Sequence, residues 1–313
     1  MFRVETKTFG NLYKVNLVNI STAEYVSIIP GFGGNVNEIV LSKNGKTYNV
    51  LDSAKTYTEL MSDKMFKGSK LLPFPNRIKY GRYNFEGRAY QLPVNFGRHA
   101  IHGFMYNKTL QVTKQRGNIN QATLELSYQY GGTVPGYPFK FKASLIYSLI
   151  KDFGFQYTTV ITNVGSSSMP VGDGWHPYFK TYGKVDNLHI RLPSNRSIKI
   201  NNQMIPTGEL VLEDYPASFM IDSRQFDTGF ALHETEGKAI TEIIDPNLDL
   251  KINIWQETGK MKYNFLQVFI PSSRVSIAIE PMTCAANAFN NNMGLAVLQP
   301  NQSLNTSCGV YVS

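Results

Sequence analysis

The sequence is poor in cysteine. Its 313 residues include only Cys284 and Cys308, which are too few for a disulfide framework. Their separation is not that of a C-x-x-C zinc or redox pair. We therefore expect two buried thiols in a reducing compartment.

Long apolar runs are also missing. No stretch approaches the about 18 apolar residues that a membrane-spanning helix needs, so we expect no membrane span. The first residues, Met-Phe-Arg-Val-Glu-Thr-Lys, contain no apolar segment of the kind found in signal peptides. On this basis we expect a cytoplasmic protein.

Charge is sparse and scattered. Only 17% of the residues are charged, and 31 basic against 23 acidic residues give a net charge of +8. The chain has no block of five like charges, no zinc-finger spacing and no RNA-binding signature. The basic balance therefore indicates a solvated surface, and we expect no nucleic-acid partner.

Alternation of apolar and polar residues with a period of two dominates the sequence, and this pattern is typical of strands. Strands are predicted at residues 12–19, 25–29, 36–41, 110–113, 123–130, 139–150, 153–163, 188–192, 239–245, 248–256, 265–270 and 275–280. Only residues 54–64 favour a short helix. No linker or shift of composition divides the chain. We predict an all-β fold, a large antiparallel β-sandwich in one domain over residues 1–313.

A carboxylate lies at the end of the predicted strand 275–280. Ser276, Ala278 and Glu280 fall on one face, and the first two are small, which favours the floor of a cleft. We expect the strand to stop at Pro281, since proline interrupts a ladder. The alternative interpretation is an ordinary polar outer face.

A second candidate site is the segment Gly-Asp-Gly-Trp-His-Pro-Tyr-Phe at residues 172–179. Two glycines and a His-Pro step predict a rigid loop that presents its side chains. Trp175 and Tyr178 beside His176 combine aromatic faces with a polar group, as a sugar ring requires. The alternative is an aromatic plug that closes one end of the sandwich.

No motif indicates a metal ion or a cofactor. His99 and His102 are close in sequence, but no third ligand follows at a metal-site spacing. The Gly-rich segment at residues 31–35 lacks a Walker lysine and dinucleotide-binding spacing, and it is predicted to be a turn. There is no nucleophile elbow. We therefore expect neither metal nor cofactor.

Five motifs follow one another between about residues 30 and 290. They are Asn-Arg-Ile at 76–78 with Gly-Arg-Tyr-Asn-Phe-Glu-Gly at 81–87 and Tyr-Gln-Leu at 90–92, His-Gly-Phe at 102–104, Trp-His-Pro-Tyr-Phe at 175–179, Phe-Asp-Thr-Gly-Phe-Ala-Leu at 226–232, and Glu-Pro-Met-Thr at 280–283 leading to Asn-Ala-Phe-Asn at 287–290. In this order they resemble the aldose 1-epimerase (galactose mutarotase-like) family. The resemblance implies a β-sandwich with a sugar in a cleft on one sheet face.

The resemblance also implies an isomerase that interconverts the α and β anomers of a free hexose by acid–base ring opening and reclosure. Glu280 matches the family's general base and His176 its general acid. Arg77 and His102 match residues that contact the sugar near its ring oxygen and anomeric carbon, and Asp227 matches an acid that hydrogen-bonds ring hydroxyls. Further candidate sugar-binding residues are Asn76, Trp175 and Tyr178.

This chemistry requires opposite protonation states, with Glu280 ionised and His176 protonated. A nearby carboxylate raises the pKa of a histidine, whereas burial lowers it. The pair predicts a bell-shaped dependence of the rate on pH.

Three other functions stay open. A non-catalytic sugar-binding protein would need the aromatic residues but not both Glu280 and His176. A second alternative is a carbohydrate-cleaving hydrolase or lyase; a glycosidase would need two carboxylates, for which Asp227 is the available second group. A phosphorylated or sulfonated sugar could be held by the basic stretch from Arg77 to Arg88. The expected partner is a small-molecule sugar, and the expected state is a monomer or homodimer.

Overall fold

The structure is a computed structural model that describes residues 1–313, and it is built mainly of strands. In chain order the strands are β1 (Phe2–Phe9), β2 (Leu12–Asn19), β3 (Glu24–Ile29), β4 (Asn35–Lys43), β5 (Lys46–Asn49), β6 (Ser69–Leu71), β7 (Arg77–Ile78), β8 (Arg82–Phe85), β9 (Arg88–Gln91), β10 (Ala100–Ile101), β11 (Gln111–Gly117), β12 (Gln121–Tyr130), β13 (Phe141–Ile150), β14 (Gly154–Asn163), β15 (Met169–Val171), β16 (Gly174–His176), β17 (Tyr178–Phe179), β18 (His189–Arg191), β19 (Arg196–Ile200), β20 (Pro206–Leu212), β21 (Phe219–Met220), β22 (Asp227–Ala231), β23 (Gly237–Asp245), β24 (Leu250–Thr258), β25 (Phe265–Phe269), β26 (Ile277–Met282), β27 (Ala296–Leu298) and β28 (Ser303–Val312). The helices are α1 (Tyr57–Ser62) and α2 (Ala288–Asn291), and short 3-10 turns lie at Lys79–Gly81 and Val185–Asn187.

The strands form three large sheets with antiparallel neighbours. A five-stranded sheet has the order β1-β2-β3-β4-β5, and a nine-stranded sheet has the order β11-β12-β13-β14-β28-β24-β23-β18-β21. An eight-stranded sheet has the order β20-β19-β22-β25-β26-β16-β6, with β17 paired to β26. Three two-stranded ladders, β7 with β10, β8 with β9 and β15 with β27, complete the molecule. The all-β prediction is confirmed.

One hydrophobic cluster of 61 buried residues draws on all three large sheets. The period of two explains how a single strand contributes to it. In β12, Ala122, Leu124 and Leu126 are buried, while the residues between them are partly exposed. Cys284 and Cys308 are both buried free thiols, as the sequence predicts.

The predicted helix and one predicted strand end differ from the structure. The helix expected at 54–64 is only α1, because Thr56 caps its start by accepting a hydrogen bond from the Glu59 N–H at 3.2 Å. The strand expected to stop at Pro281 continues to Met282, so that prediction is wrong. Pro281 pairs with Leu266 within the antiparallel ladder, and the missing N–H does not end it. Neither helix is long and apolar enough to cross a membrane.

Candidate active site

A cavity of about 170 Å³ opens on the face of the eight-stranded sheet. Seven of the eight predicted site residues line it: Asn76, Arg77, His102, His176, Tyr178, Asp227 and Glu280. Its volume is below the about 300–1,000 Å³ of sites for drug-sized ligands, so it suits a smaller molecule such as one sugar ring. Phe66, Phe96 and Phe269 add apolar walls that the sequence analysis did not identify.

The strand register brings the central pair together. In the pairing of β16 with β26, Gly174 lies opposite Met282, which carries His176 to the level of Glu280 in the antiparallel direction. The resulting distance between His176 Nε2 and Glu280 Oε1 is 3.4 Å. The two residues are distant in sequence, and only the register of the sheet makes them neighbours.

Both members of the pair are buried and open to further hydrogen bonding. The exposed fractions of their side chains are 7% for His176 and 2% for Glu280. Glu280 Oε2 and His176 Nδ1 have no partner within the protein. The Tyr178 ring stacks on His176 with centroids 4.9 Å apart and planes 7° apart. Since buried polar atoms are normally paired, a ligand with several hydroxyl groups suits this site.

Burial determines the protonation of the pair. It lowers the pKa of His176 to about 3. It raises the pKa of Glu280 well above its usual value; Asp227 adds to this shift and Arg77 opposes it. Burial therefore shifts the pKa of each group toward its neutral form. Both shifts run against the ionised Glu280 and the protonated His176 that the proton transfers require.

Arg77 and His102 are held by Asn76, which has a left-handed backbone with φ of 55°. Asn76 Oδ1 accepts hydrogen bonds from the Arg77 N–H at 2.8 Å and from its Nη1 at 3.2 Å. The Asn76 N–H donates to His102 Nδ1 at 3.2 Å. Burial holds the pKa of His102 well below its usual value, so the neutral ring carries its proton on Nε2. This arrangement presents fixed donors to a ligand.

Asp227 lies on β22 and is held by Gln267, which the sequence analysis missed. Gln267 Nε2 donates to Asp227 Oδ1 at 2.8 Å, and Gln267 lies directly opposite Glu280 in the pairing of β25 with β26. Burial raises the pKa of Asp227, whereas Arg77 and the Gln267 hydrogen bond oppose this shift. The predicted strands 265–270 and 275–280 follow each other in sequence. Pairing them as an antiparallel hairpin could have identified Gln267 as a neighbour of Glu280.

Trp175 is not in the cavity. Its side chain is fully buried in the core, where its ring lies 5.8 Å from that of Tyr157 and 5.9 Å from that of Phe155. The expectation that it contacts a sugar is corrected. The segment expected to be a loop is strand β16, and adjacent strand residues point to opposite faces. Because His176 faces the cavity, Trp175 faces the core.

A larger cavity of about 510 Å³ is lined by residues of the five-stranded and nine-stranded sheets, including Leu41, Lys238 and Trp255. It contains no histidine and therefore no counterpart of the His176–Glu280 pair. No group of three or more His, Cys, Asp or Glu side chains is arranged to hold a metal ion. The smaller cavity is the candidate active site.

Comparisons with known proteins agree with this architecture. The family model described as aldose 1-epimerase matches residues 16–311. The chain is 28% identical over 249 residues to the uncharacterized protein YihR of Escherichia coli, covering 74% of each protein. It is 23% identical over 177 residues to the galactose mutarotase of Sus scrofa, covering 55% of this chain and 50% of that protein.

The fold has a close structural counterpart. A crystal structure of a galactose mutarotase-like protein from Clostridium acetobutylicum matches 100% of this chain and 98% of its own, with a TM-score of 0.86 and 22% identity. That likeness concerns the fold, whereas the family model rests on the sequence over nearly the whole chain. The chain belongs to the aldose 1-epimerase family.

Proposed function

We propose that the protein is a mutarotase that interconverts the α and β anomers of a free hexose. The observation that carries the proposal is the contact of 3.4 Å between His176 Nε2 and Glu280 Oε1 in a cavity the size of one sugar ring. The galactose mutarotase of Sus scrofa is a relative over about half of this chain. The reaction needs one acid and one base, and the pair supplies both.

The pair carries one proton through the cycle. In the reacting form this proton is on His176, and Glu280 is ionised. Glu280 removes the proton of the C1 hydroxyl group while His176 protonates the ring oxygen, and the C1–O5 bond breaks with its electron pair on O5. The products are an open-chain aldehyde, a protonated Glu280 and a neutral His176.

Burial favours that second state. It raises the pKa of Glu280 and lowers that of His176, and both shifts stabilise the neutral pair relative to the ionised pair. After rotation about C1–C2, Glu280 returns its proton to the carbonyl oxygen, His176 removes the proton of the C5 hydroxyl group, and the ring closes on the other face. Each proton transfer contributes about 10²–10⁴-fold.

The other cavity residues orient the sugar. The Arg77 guanidinium, held by Asn76 and lying 5.6 Å from the centroid of the Phe96 ring, offers fixed donors to ring oxygens. The Arg77 charge also lowers the pKa of Glu280, which favours the carboxylate needed at the start. Asp227 supplies an acceptor for ring hydroxyls.

An anionic sugar is a second candidate substrate. Lys64 lines the cavity, and it is absent from the ion pairs of the protein. Of the basic stretch from Arg77 to Arg88, only Arg77 lines the cavity. A phosphate or sulfonate group at the Lys64 side would find an unpaired cation there.

Polarimetry on freshly dissolved α-D-glucose and α-D-galactose tests the proposal. The wild type is expected to accelerate the relaxation of optical rotation, and Glu280→Gln is expected to leave it at the rate of the protein-free blank. For glucose 6-phosphate, exchange between the anomeric proton signals in NMR gives the same rate. The proposal fails if the wild type accelerates none of the three; sugar binding without acceleration would favour a non-catalytic binding protein.

A further inference from the structure

A buried ion pair that the reaction does not use lies behind His176. Lys70 Nζ is 2.6 Å from Asp173 Oδ1, and both side chains are fully buried. Asp173 Oδ2 accepts hydrogen bonds from the hydroxyl groups of Tyr263 at 2.7 Å and Thr306 at 2.8 Å. Thr306 belongs to β28 of the nine-stranded sheet. The Asp173 carboxylate therefore lies between the two largest sheets.

Stability alone does not account for this group. Two charges lose their hydration on burial, and apolar side chains of similar volume often give equal or greater stability. The Asp173 carboxylate, however, keeps all three of its partners, Lys70, Tyr263 and Thr306, only while its backbone stays in one position. The pair is therefore suited to fix the alignment of neighbouring strands.

The backbone of Asp173 shows which strands are aligned. Its N–H donates to Thr283 Oγ1 at 2.8 Å, and its carbonyl oxygen accepts from the Thr283 N–H at 2.9 Å. Asp173 precedes His176 by three residues, and Thr283 follows Glu280 by three residues. Since the strands are antiparallel, equal offsets on both sides place His176 beside Glu280.

The glycines on either side of Asp173 permit this contact. A Cβ atom on Gly172 would lie 2.4 Å from Cys284 Sγ, and one on Gly174 would lie 2.9 Å from Pro75 Cβ. Both distances are too short for side-chain atoms. Gly172 is thus explained by its close approach to Cys284 after Glu280, and Gly174 by its close approach to Pro75.

We propose that Asp173 is a positioning residue that sets the distance between His176 and Glu280 through its double hydrogen bond with Thr283. The inference rests on the proposed function for its effect on rate. A slip of one residue between the two strands would turn His176 away from the cavity, and a displacement of about 1 Å can cost about 10²-fold in rate.

Thr283→Val is the main test, because Asp173→Asn leaves Lys70 charged and unpaired and endangers folding. Valine keeps the shape of threonine but removes the acceptor for the Asp173 N–H. We expect kcat to fall about tenfold or more with KM within about twofold of the wild type. Thr283→Ser restores the acceptor, and its kcat is expected to lie within about twofold of the wild type.

Tyr130→Phe is the matched control for lost stability. Tyr130 ends β12 of the nine-stranded sheet, and its hydroxyl group donates to the Tyr137 carbonyl oxygen at 2.8 Å and accepts from the Val134 N–H at 2.7 Å. Its removal should lower the melting temperature without changing kcat. The inference is overturned if Thr283→Val keeps the wild-type kcat. It is also overturned if Thr283→Val and Tyr130→Phe lose activity equally.

A spectroscopic measurement separates this inference from the proposed function. The ring nitrogen signals of His176 in 15N NMR, assigned with His176→Asn, report its contact with Glu280 without any substrate. We expect Thr283→Val to shift these signals, and we expect Thr283→Ser and Tyr130→Phe to leave them unchanged. If the wild type is inactive but these shifts occur, the proposed function fails and the positioning role stands. Unchanged His176 signals in Thr283→Val overturn the positioning role.

Discussion

At the scale of single residues, the site is defined by desolvation. His176 and Glu280 are close enough to attract each other as ions, yet burial shifts both pKa values toward the neutral forms. The same residues could be named from the sequence, because the motifs identify side chains. Their protonation could not, because it depends on how much water the folded chain excludes.

The pH dependence of kcat/KM follows from these shifts. The reaction uses the pair with one proton, so activity is lost at low pH when His176 also takes up a proton and at high pH when the pair loses its only proton. The acid limb is expected near pH 3, and the alkaline limb lies above the usual carboxyl pKa. Polarimetric rates are therefore expected not to fall as the pH is lowered from 7 to 4.5.

A halving of kcat/KM as the pH is lowered through about 6.5, with the circular dichroism spectrum unchanged, would contradict this account. It would mean that His176 titrates like an exposed histidine.

At the scale of elements, the predicted strands were mostly confirmed, because alternation is a local property. The segment at residues 172–179 was not predicted as strand, since its glycines and Pro177 are typical of loops. Its strand conformation depends on pairing with β26 and β6, which lie far away in sequence. Gln267 was missed for the same reason, because register is not visible in one strand.

Trp175→Phe tests the face assignment of β16. The substitution leaves a gap beside Phe155 and Tyr157, so the free energy of unfolding is expected to fall by about 1–3 kcal/mol. The KM for the sugar is expected to stay within about twofold, because the indole does not reach the cavity. Urea denaturation and initial rates measure the two quantities. A several-fold rise in KM with little change in stability would place Trp175 in the site instead.

At the scale of the whole molecule, the three large sheets share a core of 61 buried residues, and the site lies on one sheet of this framework. Burying Glu280 on that sheet has a consequence for stability. The folded carboxyl group has a raised pKa, so the folded state holds a proton that the unfolded chain releases as the pH rises above about 4.5.

The stability of the wild type relative to Glu280→Gln is therefore expected to decrease with rising pH. The difference changes by about 1.4 kcal/mol per pH unit while the folded carboxyl group is protonated and the unfolded one is ionised, and it levels off above the folded pKa. Urea denaturation of both proteins from pH 4 to pH 8 measures it. Glu234→Gln, at an exposed position, is the control for loss of a glutamate outside the site. A constant difference across this range would contradict the raised pKa.

The central claim is that His176 and Glu280 act as one acid–base unit. It is tested most directly by polarimetric kcat/KM values for the wild type, His176→Asn, Glu280→Gln and the double variant on the sugar that the wild type accelerates best. Each single variant is expected to lose about 10²-fold or more, and the double variant is expected to be less than about tenfold slower than the slower single variant. Either single variant keeping a tenth or more of the wild-type value, or losses that multiply in the double variant, would contradict the claim.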